Sequence, residues 1–191
     1  MLTRDSLYNL ETYAKVRNEF RAKVIAHKKV RLVELGAHAS IHFEDRLTMQ
    51  YQVQEMLRLE RIYEPELVQE ELDVYNPLIP DGSNWKATLM FEYPDVEERR
   101  EALARLVGVE TAAYVQIADF ARVAPFANED LDRTTKAKTS AVHFLRFELT
   151  PEMIAAAKRG APIRVGVDHP HYRAEVTVSG PTRESLVADL K

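Results

Sequence analysis

Between residues 6 and about 27, apolar side chains recur at three- and four-residue steps: Leu7, Leu10, Tyr13, Val16, Phe20 and Val24. That spacing draws one stripe along an amphipathic helix, with Asp5 or Ser6 placed to cap it. Residues 30–35 and 40–43 are rich in β-branched and large apolar side chains and flank Gly36-Ala37-His38, the pattern of a β-hairpin. Residues 44–62, dense in Met, Gln, Leu and Glu, predict a second long helix. Pro65 can open a short third helix over 66–73, and Tyr75-Asn76-Pro77 breaks it.

Further on, residues 85–93 alternate so that Ala87, Leu89 and Phe91 share one face of a strand. Pro94-Asp95 leads into a helix that reaches about residue 107 and stops at Gly108. Residues 114–123 and 140–149 read as strands. Thr150 as cap and Pro151 in the first turn start a helix that ends at Gly160. Residues 163–167 and 172–178 predict a closing hairpin around Asp168-His169-Pro170-His171, and 181–190 a last short helix. Strands joined by turns or single short helices, without regular βαβ units, predict an α+β fold: a mainly antiparallel sheet packed with two long helices and several short ones. No linker enforces a boundary, so residues 1–191 are expected to form one domain, with a helical N-terminal lobe over 1–77 packed on an α+β portion over 78–191 as the finer division.

Composition narrows the chemistry. With 46% hydrophobic and 29% charged residues the chain is of the ordinary globular kind. There is no cysteine, which removes disulfides, thiolate metal sites and thiol nucleophiles. The opening stretch MLTRDSLYNLE lacks the apolar core of a signal segment, and no run approaches the roughly 20 apolar residues of a membrane span. A soluble cytoplasmic protein with no membrane partner is expected, and the net charge of −4 argues against nucleic acid. Charge is unevenly spread: residues 1–35 hold eight Lys/Arg against four Asp/Glu, and residues 36–75 three against nine. Two amphipathic elements that pair with each other, or a basic docking face, would explain it. Phosphate-binding loops, GxGxxG, GxSxG and HExxH are all absent.

The polar helix block, residues 43–60, is the most function-like feature. At about 100° per residue, Glu44, Thr48, Gln52 and Glu55 fall within roughly 80° of one another. On a helix that is apolar round much of its girth, such a stripe needs partners. Ion pairs with Arg17, Arg21 or Lys28 of the first helix are one answer. A metal site built with histidine is a second, and a polar ligand pocket or partner surface a third. No E-x-x-H pair of the di-iron bundles occurs. His169-Pro170-His171 with Glu175 gives a superficially cupin-like H-x-H-x-x-x-E, but Pro170 favours a turn. His143, inside SAVHFLRF, reads as a satisfied strand residue.

The run FEDRLTMQYQVQEMLRLERI, preceded by VELGAH and followed by ELDVYNPLIPDGSNWKATLMFE, resembles an uncharacterised bacterial family, the domain of unknown function number 3501. The likeness continues through SAVHFLRFEL and VDHPHYRAEV to SLVADL. Matching positions are His38, Glu44, Thr48, Gln52, Glu55, Glu60, Tyr75, Asn76, His143, Arg146, Asp168, His169 and Tyr172. The resemblance carries no activity. It implies, through genes often encoded beside those of the family, an association with rubrerythrin and an iron–sulfur oxidoreductase, and so with peroxide defence, iron handling or electron transfer. Three expectations follow. One is an accessory or binding protein of such a system, working as a homo-oligomer. Another is an iron or manganese protein with ligands among His38, Glu44, Glu55, His143 and His169. The last is a site for a small anionic ligand using Thr48, Gln52 and Arg146.

Overall fold

The computed structural model describes residues 1–135 and 137–191. The first long helix, α1, spans Leu10–Lys29, and Asn9 starts it rather than Asp5 or Ser6: the Asn9 Oδ1 accepts the Thr12 N–H at 2.8 Å. The apolar steps reach back to Leu7 because Arg4–Ser6 forms a separate 3₁₀ turn just upstream. The hairpin forms as strands β1 (Leu32–Leu35) and β2 (Ala39–Glu44), with Leu35 opposite Ala39. Gly36 turns the chain at φ 76°, in the left-handed region where a Cβ is strained.

Helix α2 covers Arg46–Glu60 and begins later than the pattern predicts. Asp45 is extended and caps it reciprocally: its carboxylate accepts the Thr48 N–H while the Thr48 hydroxyl accepts the Asp45 N–H, each at 2.9 Å. Glu44 therefore closes strand β2 instead of opening the helix. Helix α3 (Pro65–Tyr75) has Pro65 in its first turn and runs into a 3₁₀ turn over Asn76–Leu78.

The remaining elements are β3 (Asn84–Phe91), α4 (Val96–Arg105), α5 (Val109–Ala112), β4 (Ala113–Ile117), β5 (Phe126–Ala127), β6 (Val142–Glu148), α6 (Pro151–Lys158), β7 (Ile163–His169), β8 (Tyr172–Val178) and α7 (Gly180–Ala188). The fold is α+β, with an antiparallel five-stranded sheet in the order β1-β2-β3-β6-β5 and a three-stranded sheet in the order β4-β7-β8. Strand β4 stops short of the predicted residue 123. Ala118 takes φ 45° and turns the chain back, so that Val123 bridges to Val115.

Two compact units result: Met1–Val30 with Glu44–Pro80, and Arg31–Phe43 with Asp81–Lys191. In the first unit Met49, Val53 and Leu57 of α2 bury against Leu2 and Leu72, and Tyr13, Phe20 and Val24 of α1 cluster with Leu47 and Tyr51. In the second, alternate residues of both sheets share one core, with Trp85, Leu89 and Phe147 from one and Val115, Ile117 and Val165 from the other. Among the described residues, no helix is long and apolar enough to cross a membrane.

Candidate functional site

Tyr13 and Arg17 lie one turn apart on α1 and meet Glu55 of α2. Arg17 grips the Glu55 carboxylate with two bonds of 2.8 Å, the Tyr13 hydroxyl donates to it at 2.8 Å, and Arg58 reaches it at 3.2 Å. Bidentate pairing of this kind is the strong form of the ion pair. The Arg17 hydrogen bonds are the chief cause that holds the Glu55 carboxyl down at about 2. Burial first, and the hydrogen bond to Glu55 second, push the Tyr13 phenol well above its ordinary range. Glu55 is thus saturated as a hydrogen-bond acceptor.

Glu44 is buried and accepts the Thr48 hydroxyl at 2.6 Å. Thr48 is thus shared between Glu44 and the cap that starts α2. Asp45 also meets the His27 ring at 2.5 Å. Gln52 is half-buried and makes no side-chain hydrogen bond among the described residues.

A different stripe of α2 proves the more consequential. Arg46, Gln50 and Gln54 follow at four-residue steps and hold the segment before α1. Arg46 donates to the Ser6 hydroxyl at 3.0 Å and Gln50 to the Ser6 carbonyl at 2.7 Å. The fully buried Gln54 amide pairs twice with Tyr8, accepting its N–H at 2.6 Å and donating to its carbonyl at 3.2 Å. Asn76 does the same for Leu2 at 2.7 and 3.0 Å. Two side-chain amides thereby stand in for a neighbouring strand. The segment so fixed forms one bank of a groove of about 710 Å³, whose other bank includes Leu57, Ile62, Tyr63 and Val68. Tyr63 is 73% exposed on its rim.

In the second unit the histidines have separate surroundings. His38 stacks on Tyr93 with ring centroids 4.3 Å apart and donates from Nδ1 to the Glu92 carbonyl at 3.1 Å. Its backbone N–H reaches the Tyr172 hydroxyl, which in turn donates to the Leu35 carbonyl. His169 is buried, with Nε2 donating to the Val107 carbonyl at 3.2 Å and Nδ1 accepting the His171 N–H at 3.2 Å. Glu175, the third member of the cupin-like pattern, accepts the Tyr114 hydroxyl at 2.6 Å. Burial and that bond push the Tyr114 phenol up to about 12.

His143 is fully buried and its hydrogens can be placed. The Ser140 carbonyl, 3.0 Å from Nε2, only accepts, so Nε2 carries the proton. Asn128 donates to Nδ1 at 3.0 Å. Nε2 also meets Thr139 at 3.0 Å, Thr139 meets Thr134 at 2.8 Å, and Thr134 donates to Glu110 at 2.7 Å. The chain of donors runs one way, from imidazole to carboxylate. Burial lowers the His143 pKa; the Glu110 charge opposes that shift and Arg133 adds to it. A histidine held neutral in the fold but protonated when unfolded costs stability as pH falls below the ordinary histidine value of about 6.5. Imidazole-detected NMR should show His143 as the Nε2–H tautomer and titrating below the ordinary histidine value of about 6.5. Titration at the ordinary value would contradict this geometry.

Arg146 is paired on both sides, bidentately with Glu129 at 2.6 and 2.7 Å and with Glu148, and its guanidinium lies over the Phe126 ring. Of the residues nominated for metal, Glu44 and Glu55 each accept protein donors and both ring nitrogens of His143 and His169 are in use. Among the described residues no group of three or more His, Asp or Glu side chains is placed to hold a metal ion.

Comparison with known proteins agrees with the sequence likeness. A crystal structure of a novel protein of unknown function from Burkholderia pseudomallei K96243 is 52% identical, superposes with a TM-score of 0.93, and aligns over 100% of this chain and 99% of that one. No curated protein matches. The family described as "Protein of unknown function (DUF3501)" matches residues 1–190. The chain belongs to that family.

Proposed function

We propose that this protein is a non-enzymatic accessory factor that binds a partner protein of a peroxide-defence, iron or electron-transfer system. The observation that carries the reading is the groove of the first unit: about 710 Å³, with one bank pinned by the Gln54 and Asn76 amide pairs and an exposed aromatic, Tyr63, on its rim. A bank fixed in advance lowers the ordering cost of binding, and exposed tyrosines are frequent anchors of interfaces. The partner class, a rubrerythrin or an iron–sulfur oxidoreductase, comes from the family resemblance. The side chains nominated for metal mostly hold the fold together, which favours binding over catalysis.

Calorimetric titration of the purified protein against each of those two partners tests the reading. One of them should bind, and Tyr63→Ala should weaken binding by about tenfold or more without moving the unfolding midpoint. Absence of binding to both, or turnover of peroxide by the protein unaided, would overturn it.

A further inference from the structure

The outward faces of α1 and α3 carry opposite charge, and each leaves apolar side chains exposed. Arg21, Ile25 and Lys29 follow at four-residue steps on α1 and so share one stripe; all three are exposed, Ile25 by 43%. Lys28 lies beside them. Arg21, Lys23, Lys28 and Lys29 enter no ion pair among the described residues, whereas Lys15 and Arg17 of the same helix do. The face is therefore cation, apolar, cation.

Helix α3 buries Leu72 and half-buries Val68 and Tyr75, which accounts for its inner side. Leu67 and Val74, seven residues apart, point the other way and are 41% and 63% exposed. Glu70 lies between them on the same stripe, with Glu66 and Asp73 flanking it. Residues 60–75 hold six carboxylates against one Arg, and among the described residues none of the six is ion-paired. Burial, followed by the charges of Glu60 and Glu70, raises the Glu71 carboxyl. This face is apolar, acid, apolar.

A helix with apolar residues on two sides has a surface suited to a second neighbour. The acidic field repels nucleic acid and anionic lipid, so the neighbour is a protein with a cationic stripe, and the chain itself carries one. The spacings agree: Arg21 and Lys29 are about 12 Å apart along their helix, and Leu67 and Val74 about 10 Å along theirs. Laid together, Ile25 seats against Leu67 and Val74 while the cations meet Glu66, Glu70 and Asp73. We propose that the α3 face of one copy docks on the α1 face of a second copy of this chain. The contact uses two different patches, so it is either reciprocal in a closed dimer or propagated head to tail. Its apolar seats Leu67 and Val74 lie on another side of α3 from the groove residue Val68, whereas Asp73 accepts the Gln69 amide at 2.7 Å and so borders the groove; the self-docking itself does not rest on the partner reading above.

Sedimentation velocity over a range of protein and salt concentrations tests it with the full chain. The protein should associate reversibly, and raising salt should weaken the association. The triple reversal Glu66→Lys, Glu70→Lys, Asp73→Lys should weaken it by about tenfold or more, as should Arg21→Glu, Lys28→Glu, Lys29→Glu. The two reversed proteins, mixed, should associate with each other, and a chain carrying all six changes should recover self-association. Leu67→Ser with Val74→Ser should weaken it with the charges intact. A parent protein that stays monomeric at every concentration would overturn the proposal. So would reversed variants that keep the parent's assembly, or a failure of the mixture to associate.

Discussion

Replacing Trp85 with alanine is expected to lower the free energy of unfolding by about 3–5 kcal/mol. Trp85 is fully buried in the core of the second unit, edge-on to Phe43 with ring centroids 6.1 Å apart. Its indole N–H also donates to the Leu186 carbonyl at 2.9 Å, so one side chain ties β3 to α7. Truncation opens a cavity that the two packed sheets cannot fully close. Trp85→Phe separates the two contributions: it retains most of the ring, loses the hydrogen bond, and should cost about 1–3 kcal/mol. Urea unfolding followed by circular dichroism reads both. A loss below about 1 kcal/mol for the alanine variant would show that the site collapses around the missing ring.

Replacing Glu55 with glutamine should cost about 2 kcal/mol at neutral pH, and the loss should vanish in acid. The carboxyl is lowered from 4.5 to about 2, with the Arg17 hydrogen bonds as the largest cause. Taken whole, that shift corresponds to about 3 kcal/mol; the partial exposure of Arg17 screens it to about 2. A carboxyl depressed in the folded state adds stability that is complete above its unfolded value, here 4.5, and is lost as pH falls towards about 2. The parent and variant unfolding curves should therefore approach each other through that window. Curves that remain equally separated down to the acid end would mean that Glu55 acts through packing instead of charge.

What could be read from the sequence divides by range. Thr150 and Pro151 mark the start of α6 unaided because a cap and a first-turn proline act within four residues. The β7–β8 hairpin and the shared Ala87, Leu89 and Phe91 face of β3 are equally local. The apolar steps place the α1 start too early because a 3₁₀ turn continues the same spacing, and the polar run draws Glu44 into a helix because the capping box hides within it. Strand β5 is two residues long, too short for any period to register. In the site, the pairing of Glu55 with a basic residue of α1 was legible from charge, since opposite blocks on neighbouring helices seek each other. The amide pairs were not. Gln54 and Asn76 bind backbone 46 and 74 residues away, and backbone partners leave no mark in side-chain chemistry. Only the four-residue recurrence of Arg46, Gln50 and Gln54 hinted at a second polar stripe.

The chain has one tryptophan, and it lies in the second unit; the first unit's ring-bearing residues include Tyr8, Tyr13, Tyr51 and Phe20 but no indole. Evolution has in effect placed a fluorophore in one half of the molecule. Indole emission during denaturation follows the second unit alone, while backbone dichroism follows the whole chain. Coincidence of the two curves would mean that both units melt as one cooperative body. A lag between them would measure how much stability one unit keeps after the other has gone.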